Sequence, residues 1–456
     1  MQAVFDYLRN NDTAFLEQLR DYLRFPSVSA QPQHKADMRA CADWAVSHCR
    51  LIGLQTRLCP TPGNPVILAG TPRRQGRPHY LVYGHYDVQP PDPLDLWKTP
   101  PFEARIEGDN LIARGSCDNK GQHFVHLKAV EAYLKTGTEL PVDITFLIEG
   151  EEEVGSDHLV DFLKEHRQEL ACDGIVISDN GIPSLKHPAL TYSLRGVAAM
   201  EVKLTGPSRD LHSGLFGGSV DNPAMALCQM LGSLRDRRGR ITIPGFYDDV
   251  VKLSAYERRQ LAKLPFSEGQ YRKLLGVKAL FGEQSYTAIE QRSARPTCEI
   301  NGLTSGYQGA GSKTIIPSWA SAKLTFRLVP DMKPKKIQQL VARHLKEVCP
   351  PTMRIELEVG HSGEPYLMSP TGPQAQAALR ALKGAFGQES LLLREGGSIP
   401  IVNDFRKILG VDTLLLGLSL PDDNPHSPNE KFSLTCFRRG MAMSAKLWEE
   451  LGALDR

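Results

Sequence analysis

The chain has 456 residues, 41% apolar and 23% charged, which is more than one ordinary core accommodates and makes two domains the expectation. Its 54 basic residues nearly balance 52 acidic ones, for a net charge of +2, so nothing in the balance supports a nucleic-acid or anionic-membrane surface. No stretch reaches the roughly 18 apolar residues of a membrane span, and the opening MQAVFDYLRNNDTAF lacks the pattern of a signal peptide.

In chain order, residues 12–24 place Phe15, Leu19, Tyr22 and Leu23 on one helical stripe, and a second helix is expected over 37–50 with Gly53 as its stop. Short apolar runs follow: VILAG (66–70), YLVYG (80–84), LIARG (111–115), ITFLIEG (144–150) and GIVIS (174–178). They are nearly continuous in apolar character, as strands covered on both faces are. Helical spacing of Phe124, Leu127, Val130 and Leu134, then of Leu159, Phe162 and Leu163, separates the later runs. Strands alternating with helices predict an α/β domain with a largely parallel mixed sheet between helices.

The character changes near Arg195. A partly alternating strand (197–206), a helix (222–236), a strand (321–330), a helix (333–349) and a strand (353–360) predict a smaller α+β domain, an open sheet with helices on one face. Residues 237–300 read as a charged, irregular insertion with a few short helices. After Pro370 the first style returns with a helix (373–385), the strand TLLLGL (413–418) and a helix (434–452). The expected division is therefore a discontinuous catalytic domain, 1–194 and 368–456, interrupted by a lid or dimerisation domain, 195–367.

Candidate ligands fall where strands give way to loops, the edge at which open α/β sheets collect ligands. His85 and Asp87 follow YLVYG. Asp118 follows LIARGSC, the acidic run EGEEEVGS (149–156) follows ITFLI, Asp179 follows GIVIS, and His426 in PDDNPHSPNEK follows TLLLGLSL. Singly, each has a plainer reading: a polar loop end, a helix cap at Asp118, first-turn acids complementing a helix dipole, a turn at Asp179. Together, at one sheet edge, they point to a metal site. The nine cysteines are scattered without a CxxC, which fits free thiols in a reducing compartment. Imidazole and carboxylate donors suit zinc, with manganese or cobalt as alternatives.

The motifs GHYDVQP, RGSCDNKG, EGEEEVGS, ISDN, LHSG, FRLVP, GGSIP and PHSPNEK occur in this order. In them the chain resembles the co-catalytic metallopeptidase family of carboxypeptidases, aminoacylases and dipeptidases, and most resembles its cytosolic nonspecific dipeptidase and carnosinase branch. The resemblance runs from about residue 12 to 450 and includes the long insertion. It implies two divalent ions per subunit, one held by His85 and Asp179, the other by Glu153 and His426, with Asp118 bridging both. Asp87 would orient the His85 ring without touching metal, and a cis peptide is implied at Asp118–Asn119. In the acidic run, Gly155-Ser156 fixes the family register on Glu152 as general base and Glu153 as ligand, with Glu151 as base if the loop is shifted by one.

The resemblance further implies cleavage of dipeptides or short peptides with a free C-terminal carboxylate by a metal-bridging hydroxide, with Glu152 moving the proton. His212 would stabilise the oxyanion in the active site of the other subunit, which makes a cytoplasmic homodimer the expectation. Arg327 would clamp the substrate carboxylate, and Thr314, Gly397 and Ser398 match positions lining the substrate site. An N-acyl amino-acid deacylase on the same residues is the alternative. A non-catalytic binding protein ranks lower, because it predicts loss of at least one site position and none is lost.

Overall fold

The structure, a computed structural model, describes residues 1–397, 399 and 401–454. Among these, nine strands form one sheet. Its order is Gln55–Cys59, Val66–Gly70, Asp143–Glu149, His79–His85, Gly174–Ile177, Thr413–Leu415 and Ala189–Leu194, with both Tyr366–Leu367 and Leu391–Glu395 paired to the last. The pairs of His79–His85 with Asp143–Glu149 and Gly174–Ile177 are parallel, as is that of Gly174–Ile177 with Thr413–Leu415. The pairs toward the Gln55–Cys59 edge are antiparallel.

The central strand His79–His85 is buried at every position, which is why its sequence reads as an unbroken apolar run. The helices Lys120–Thr136 and Leu434–Gly452 pack together, and the first lies against the central strand. Asp12–Leu23 adds Phe15, Leu16, Leu19, Tyr22 and Leu23 to the core. Lys35–Ile52 ends where Gly53 turns left-handed at φ 107°, a conformation a glycine adopts without steric cost.

A second, four-stranded antiparallel sheet has the order Thr297–Ser305, Trp319–Leu328, Gly196–Thr205, Arg354–Gly363. Burial alternates along Trp319–Leu328, so one face is covered, and the helices Pro223–Gly232 and Pro334–Glu347 pack on the sheet. Its core is separate from the first: one gathers residues within 4–194 and 366–451, the other residues within 198–345. Ile300, Leu303, Trp319 and Val359 remain exposed on this sheet.

Several readings of the sequence change. Thr297–Ser305, an edge strand with a bulge between Ile300 and Gly302, begins in the stretch read as irregular and was not anticipated. The strands Gln55–Cys59, Ala189–Leu194, Tyr366–Leu367 and Leu391–Glu395 were not anticipated. LIARG does not join the main sheet. Only Asn110–Ile112 is a strand, in a three-stranded sheet with Arg105–Glu107 and Lys431–Ser433. The insertion is not a free appendage: its helices Ala255–Leu261 and Ala288–Ala294 pack on the Leu391–Glu395 strand, with Glu257 held by Arg394 and by Tyr192 Oη at 3.2 Å. All nine cysteines are free. Among the described residues no helix is long and apolar enough to cross a membrane.

Candidate metal centre

His85 closes the central strand with its ring fully buried. The ring meets Asp87 twice: Nδ1 lies 3.0 Å from the Asp87 carbonyl and 3.3 Å from its Oδ1. A carbonyl only accepts, so Nδ1 carries a proton, and whenever the ring is neutral it is Nε2 that is bare. That nitrogen lies 3.3 Å from Asp118 Oδ1 and 3.7 Å from Asp179 Oδ2, yet it has no hydrogen-bond partner among the described residues. The Asp87 carboxylate is itself held, its Oδ2 accepting from Ser29 Oγ at 2.6 Å and from the Glu153 amide at 3.1 Å. Asp87 therefore orients the ring through its backbone oxygen as well as its side chain, an arrangement the sequence did not distinguish.

Asp118 sits between two donor sets. With His85 and Asp179 it forms one triad, and with Glu153 and His426 another, the donor atoms within each lying within 4.8 Å of one another. His426 Nε2 is 2.8 Å from Asp118 Oδ2 and 3.3 Å from Glu153 Oε2. The Glu153 Oε2 also accepts from Gln89 Nε2 at 2.8 Å, while its buried Oε1 has no partner among the described residues. His426 reaches the cage from a loop in which Asn424, His426 and Asn429 all have positive φ, 54°, 60° and 61°.

The electrostatics ask for positive charge. Hydrogen bonds to Asp118 and Glu153 push the His426 imidazole up to about 10. Burial would lower His85, but Asp118, Asp179 and Asp87 outweigh it and hold it well above the usual histidine range. Burial, with the charges of Asp179, Glu153 and Asp118 outweighing the opposing His85, pushes the Glu152 carboxyl up to about 9. Asp118 goes the other way: burial raises it, but the bonds from His426 and His85 hold it below the usual carboxylate range. Protons on the imidazoles satisfy such a cluster only by occupying the nitrogens a cation would use. The unpartnered Nε2 of His85, the unpartnered Oε1 of Glu153 and the mixed N/O donor set fit a pair of divalent cations.

Supporting contacts fix the ligands. Asn119 donates to Asp179 Oδ1 at 2.9 Å and to the Ser178 carbonyl at 2.5 Å, and its Oδ1 lies 3.2 Å from His123 Nδ1. The Asp118–Asn119 peptide is cis. The fully buried Glu430 accepts from Arg114 Nη1 at 2.7 Å and from the amides of Gly115, Cys117 and Asp118 at 2.9, 2.9 and 3.0 Å. It thus ties the loop of His426 to the loop of Asp118. The small sheet reinforces the tie, since Lys431–Ser433 pairs with Asn110–Ile112. Sequence reasoning missed Glu430, Asn119 and Ser29. Glu430 lies inside a motif already singled out, four residues after His426.

Gly121 has a related role. A Cβ there would lie 2.0 Å from the Ser116 carbonyl and 2.8 Å from the Phe432 ring. Backbone cannot yield as a flexible side chain can, so Gly121→Ala is expected to cost about 1–3 kcal/mol, read as a lower midpoint in thermal unfolding.

The remaining anticipated residues fall in several places. Glu151 is committed elsewhere, its Oε1 accepting from the Asn64 amide at 2.9 Å and its Oε2 lying 2.8 Å from His158 Nδ1. The Glu152 carboxylate makes no hydrogen bond among the described residues, and its electrostatic neighbours are His85, Asp179, Glu153 and Asp118. His212 is exposed, its Nδ1 accepting from the Gly214 amide at 3.0 Å, and it touches no cage residue. Thr314 is exposed, with its carbonyl accepting from the Ser213 amide at 3.0 Å. Arg327 lines a separate cavity, Gly397 is exposed, and Ser398 lies outside the described residues. Within one chain, then, His212, Thr314, Arg327 and Gly397 are not assembled with the cage.

A cavity of about 560 Å³ opens over the cage, with Asp118 and Asp179 in its lining and Leu264, Phe266 and Leu274 contributed by the insertion. Its size suits a small ligand.

The profile of Peptidase family M20/M25/M40 matches residues 81–450. The Cys-Gly metallodipeptidase DUG1 of Saccharomyces cerevisiae is 35% identical over 98% of this chain and 97% of its own length. The Beta-Ala-His dipeptidase of Homo sapiens is 31% identical over 100% of this chain and 93% of its own. The crystal structure of human carnosine dipeptidase 1 superposes with a TM-score of 0.81 at 30% identity, covering 99% of each chain.

Proposed function

The chain belongs to Peptidase family M20/M25/M40, and from that membership and the cage we propose that it is a metal-dependent dipeptidase with two cations held around Asp118. The observation that carries this reading is the pair of donor triads, His85–Asp118–Asp179 and Asp118–Glu153–His426, sharing one carboxylate. Zinc is the preferred occupant, with manganese or cobalt suited to the same donors. Bound there, the cations would supply Lewis acidity toward an amide carbonyl and a nearby water.

The protein's own groups do the rest. With cations in place offsetting the burial and the neighbouring carboxylates that raise it, Glu152 would be ionised. With no hydrogen bond committing its carboxylate, it accepts the proton of the attacking water and delivers it to the departing amide nitrogen. Asp87, braced by Ser29 and the Glu153 amide, keeps the proton of His85 on Nδ1. Arg327 clamps the substrate's terminal carboxylate, with Thr314, Gly397 and Ser398 around it. His212 stabilises the oxyanion in the active site of a partner subunit, in keeping with its exposed position and with the apolar side chains left uncovered on the second sheet. The division into 1–194 with 368–456 and 195–367 is supported by the separation of the two cores, although Tyr366 packs in the first, and free thiols throughout suit the cytoplasm.

The test is hydrolysis of a dipeptide panel that includes Cys-Gly and β-Ala-His, beside N-acetyl amino acids. Cleavage of dipeptides is expected, lost on chelation and restored by added zinc or manganese, with metal content following activity. Acetylated substrates outpacing every dipeptide would instead make the protein a deacylase.

A further inference from the structure

A second cavity, of about 620 Å³, adjoins the one over the cage, and Tyr271 and Arg292 line both. Its lining holds Arg195, Arg235, Arg292, Arg295 and Arg327 against only Glu283 and Glu299. Glu283 is already spent on Arg295, which it binds through both oxygens at 2.7 and 2.9 Å. Among the described residues no carboxylate hydrogen-bonds or ion-pairs with the other four guanidinium groups. Arg235 lies over Phe281 and Arg292 over Tyr271, contacts that direct a guanidinium without neutralising it.

Arg195 is the most telling of the four. It stands at the crossing from the Ala189–Leu194 strand to the Gly196–Thr205 strand. Its Nε donates to the Gly396 carbonyl at 3.1 Å, and its buried Nη1 has no partner among the described residues. Burial and then the positive charge of Arg327 lower its pKa to about 10, with Glu395 and Glu299 in electrostatic range but not bonded to it. A Cβ on Gly396 would meet Arg195 Nη2 at 2.9 Å and the Arg292 carbonyl at 3.1 Å, so Gly396 lies close against two residues of this cavity's lining. One clamp for a terminal carboxylate needs one guanidinium. This cavity carries four uncompensated ones, two of them, Arg235 and Arg292, contributed by or next to the insertion.

We propose that the arginine cavity receives an anionic side chain on the C-terminal residue of the substrate, and that Arg195 and Arg292 bind its carboxylate, which makes dipeptides ending in Glu or Asp preferred. The proposal rests on the dipeptidase reading and deepens it. Planar guanidinium groups bind carboxylates through paired, charge-assisted hydrogen bonds that a neutral amide of the same shape cannot replace.

The experiment compares kcat/KM for Ala-Glu with that for Ala-Gln, substrates of equal size, in the wild type and in Arg195→Gln, Arg195→Lys and Arg292→Gln. Arg292 is exposed, so its variant guards against a folding defect at the buried Arg195. The wild-type ratio is expected to be at least about tenfold, falling toward one in Arg195→Gln, and to a lesser extent in Arg292→Gln and Arg195→Lys. A wild-type ratio near or below one overturns the proposal, and so does a ratio that neither Arg195→Gln nor Arg292→Gln changes. Ala-Gln turnover separately reports the dipeptidase reading. If neither peptide is cleaved, that reading fails, and calorimetric binding of the same two peptides to the same proteins decides the cavity by the same ratio.

Discussion

Glu152→Gln is expected to lower kcat for a dipeptide by about 10²–10⁴-fold, the range that removal of a general acid–base carries. The amide keeps the size of the carboxylate, so the loop and the neighbouring Glu153 are left in place. What is lost is the capacity to accept a proton from water and pass it to the leaving nitrogen. The contrast is Glu151→Gln. Glu151 anchors the loop through the Asn64 amide and His158 and has no free oxygen to offer the reaction, so its replacement should cost far less. Metal content of both variants, measured by elemental analysis, should match the wild type. If Glu151→Gln is the silent enzyme and Glu152→Gln remains active, the two roles are exchanged.

Glu430→Ala should be the most damaging change at a residue that is itself neither a proposed ligand nor a substrate-binding group. It leaves Arg114, 1% exposed, as a buried cation without its carboxylate, and it strips acceptors from the amides of Gly115, Cys117 and Asp118. Breaking a buried pair from one side costs about 3–5 kcal/mol. The same carboxylate joins the loops bearing Asp118 and His426, so the damage should appear twice: as a lower unfolding midpoint and as weaker zinc retention on dialysis against a mild chelator. Glu430→Gln, which keeps shape and acceptor but not charge, should fall between. A Glu430→Ala protein as stable and as metal-retentive as the wild type would show the tie to be dispensable.

The central strands were legible because burial on both faces leaves a continuous apolar run, as in YLVYG and GIVIS. Leu391–Glu395 was not: LLLRE is short and ends in charge, and the partner that buries its Arg394 is Glu257, which lies far away in sequence. Thr297–Ser305 hid for another reason. Asn301-Gly302 at its centre has turn chemistry, but the fold uses it as a bulge in an edge strand whose residues are largely exposed. Asp118 was singled out by residue type, but its reading at an end of the main sheet does not hold. Its loop hangs from the small sheet that Lys431–Ser433 completes, a pairing across more than three hundred residues that no local pattern announces. The residues of the cage were readable because imidazole and carboxylate at loop starts carry chemistry in their own type. Glu430 and Asn119 act through what they touch, and that exists only in three dimensions.

The strand Thr413–Leu415 lies between Gly174–Ile177 and Ala189–Leu194, in the middle of the sheet. A ribosome delivers residues in order, and folding units generally form as they emerge. The second sheet, whose strands all lie within 196–363, has every partner it needs before the first sheet does. The nascent first sheet must wait with an open gap where Thr413–Leu415 belongs, and neither His426 nor Glu430 exists until later still. Completion of the second triad is therefore a late event in the birth of each molecule, and chains stalled before residue 430 should emerge with apolar strands uncovered and in need of a chaperone.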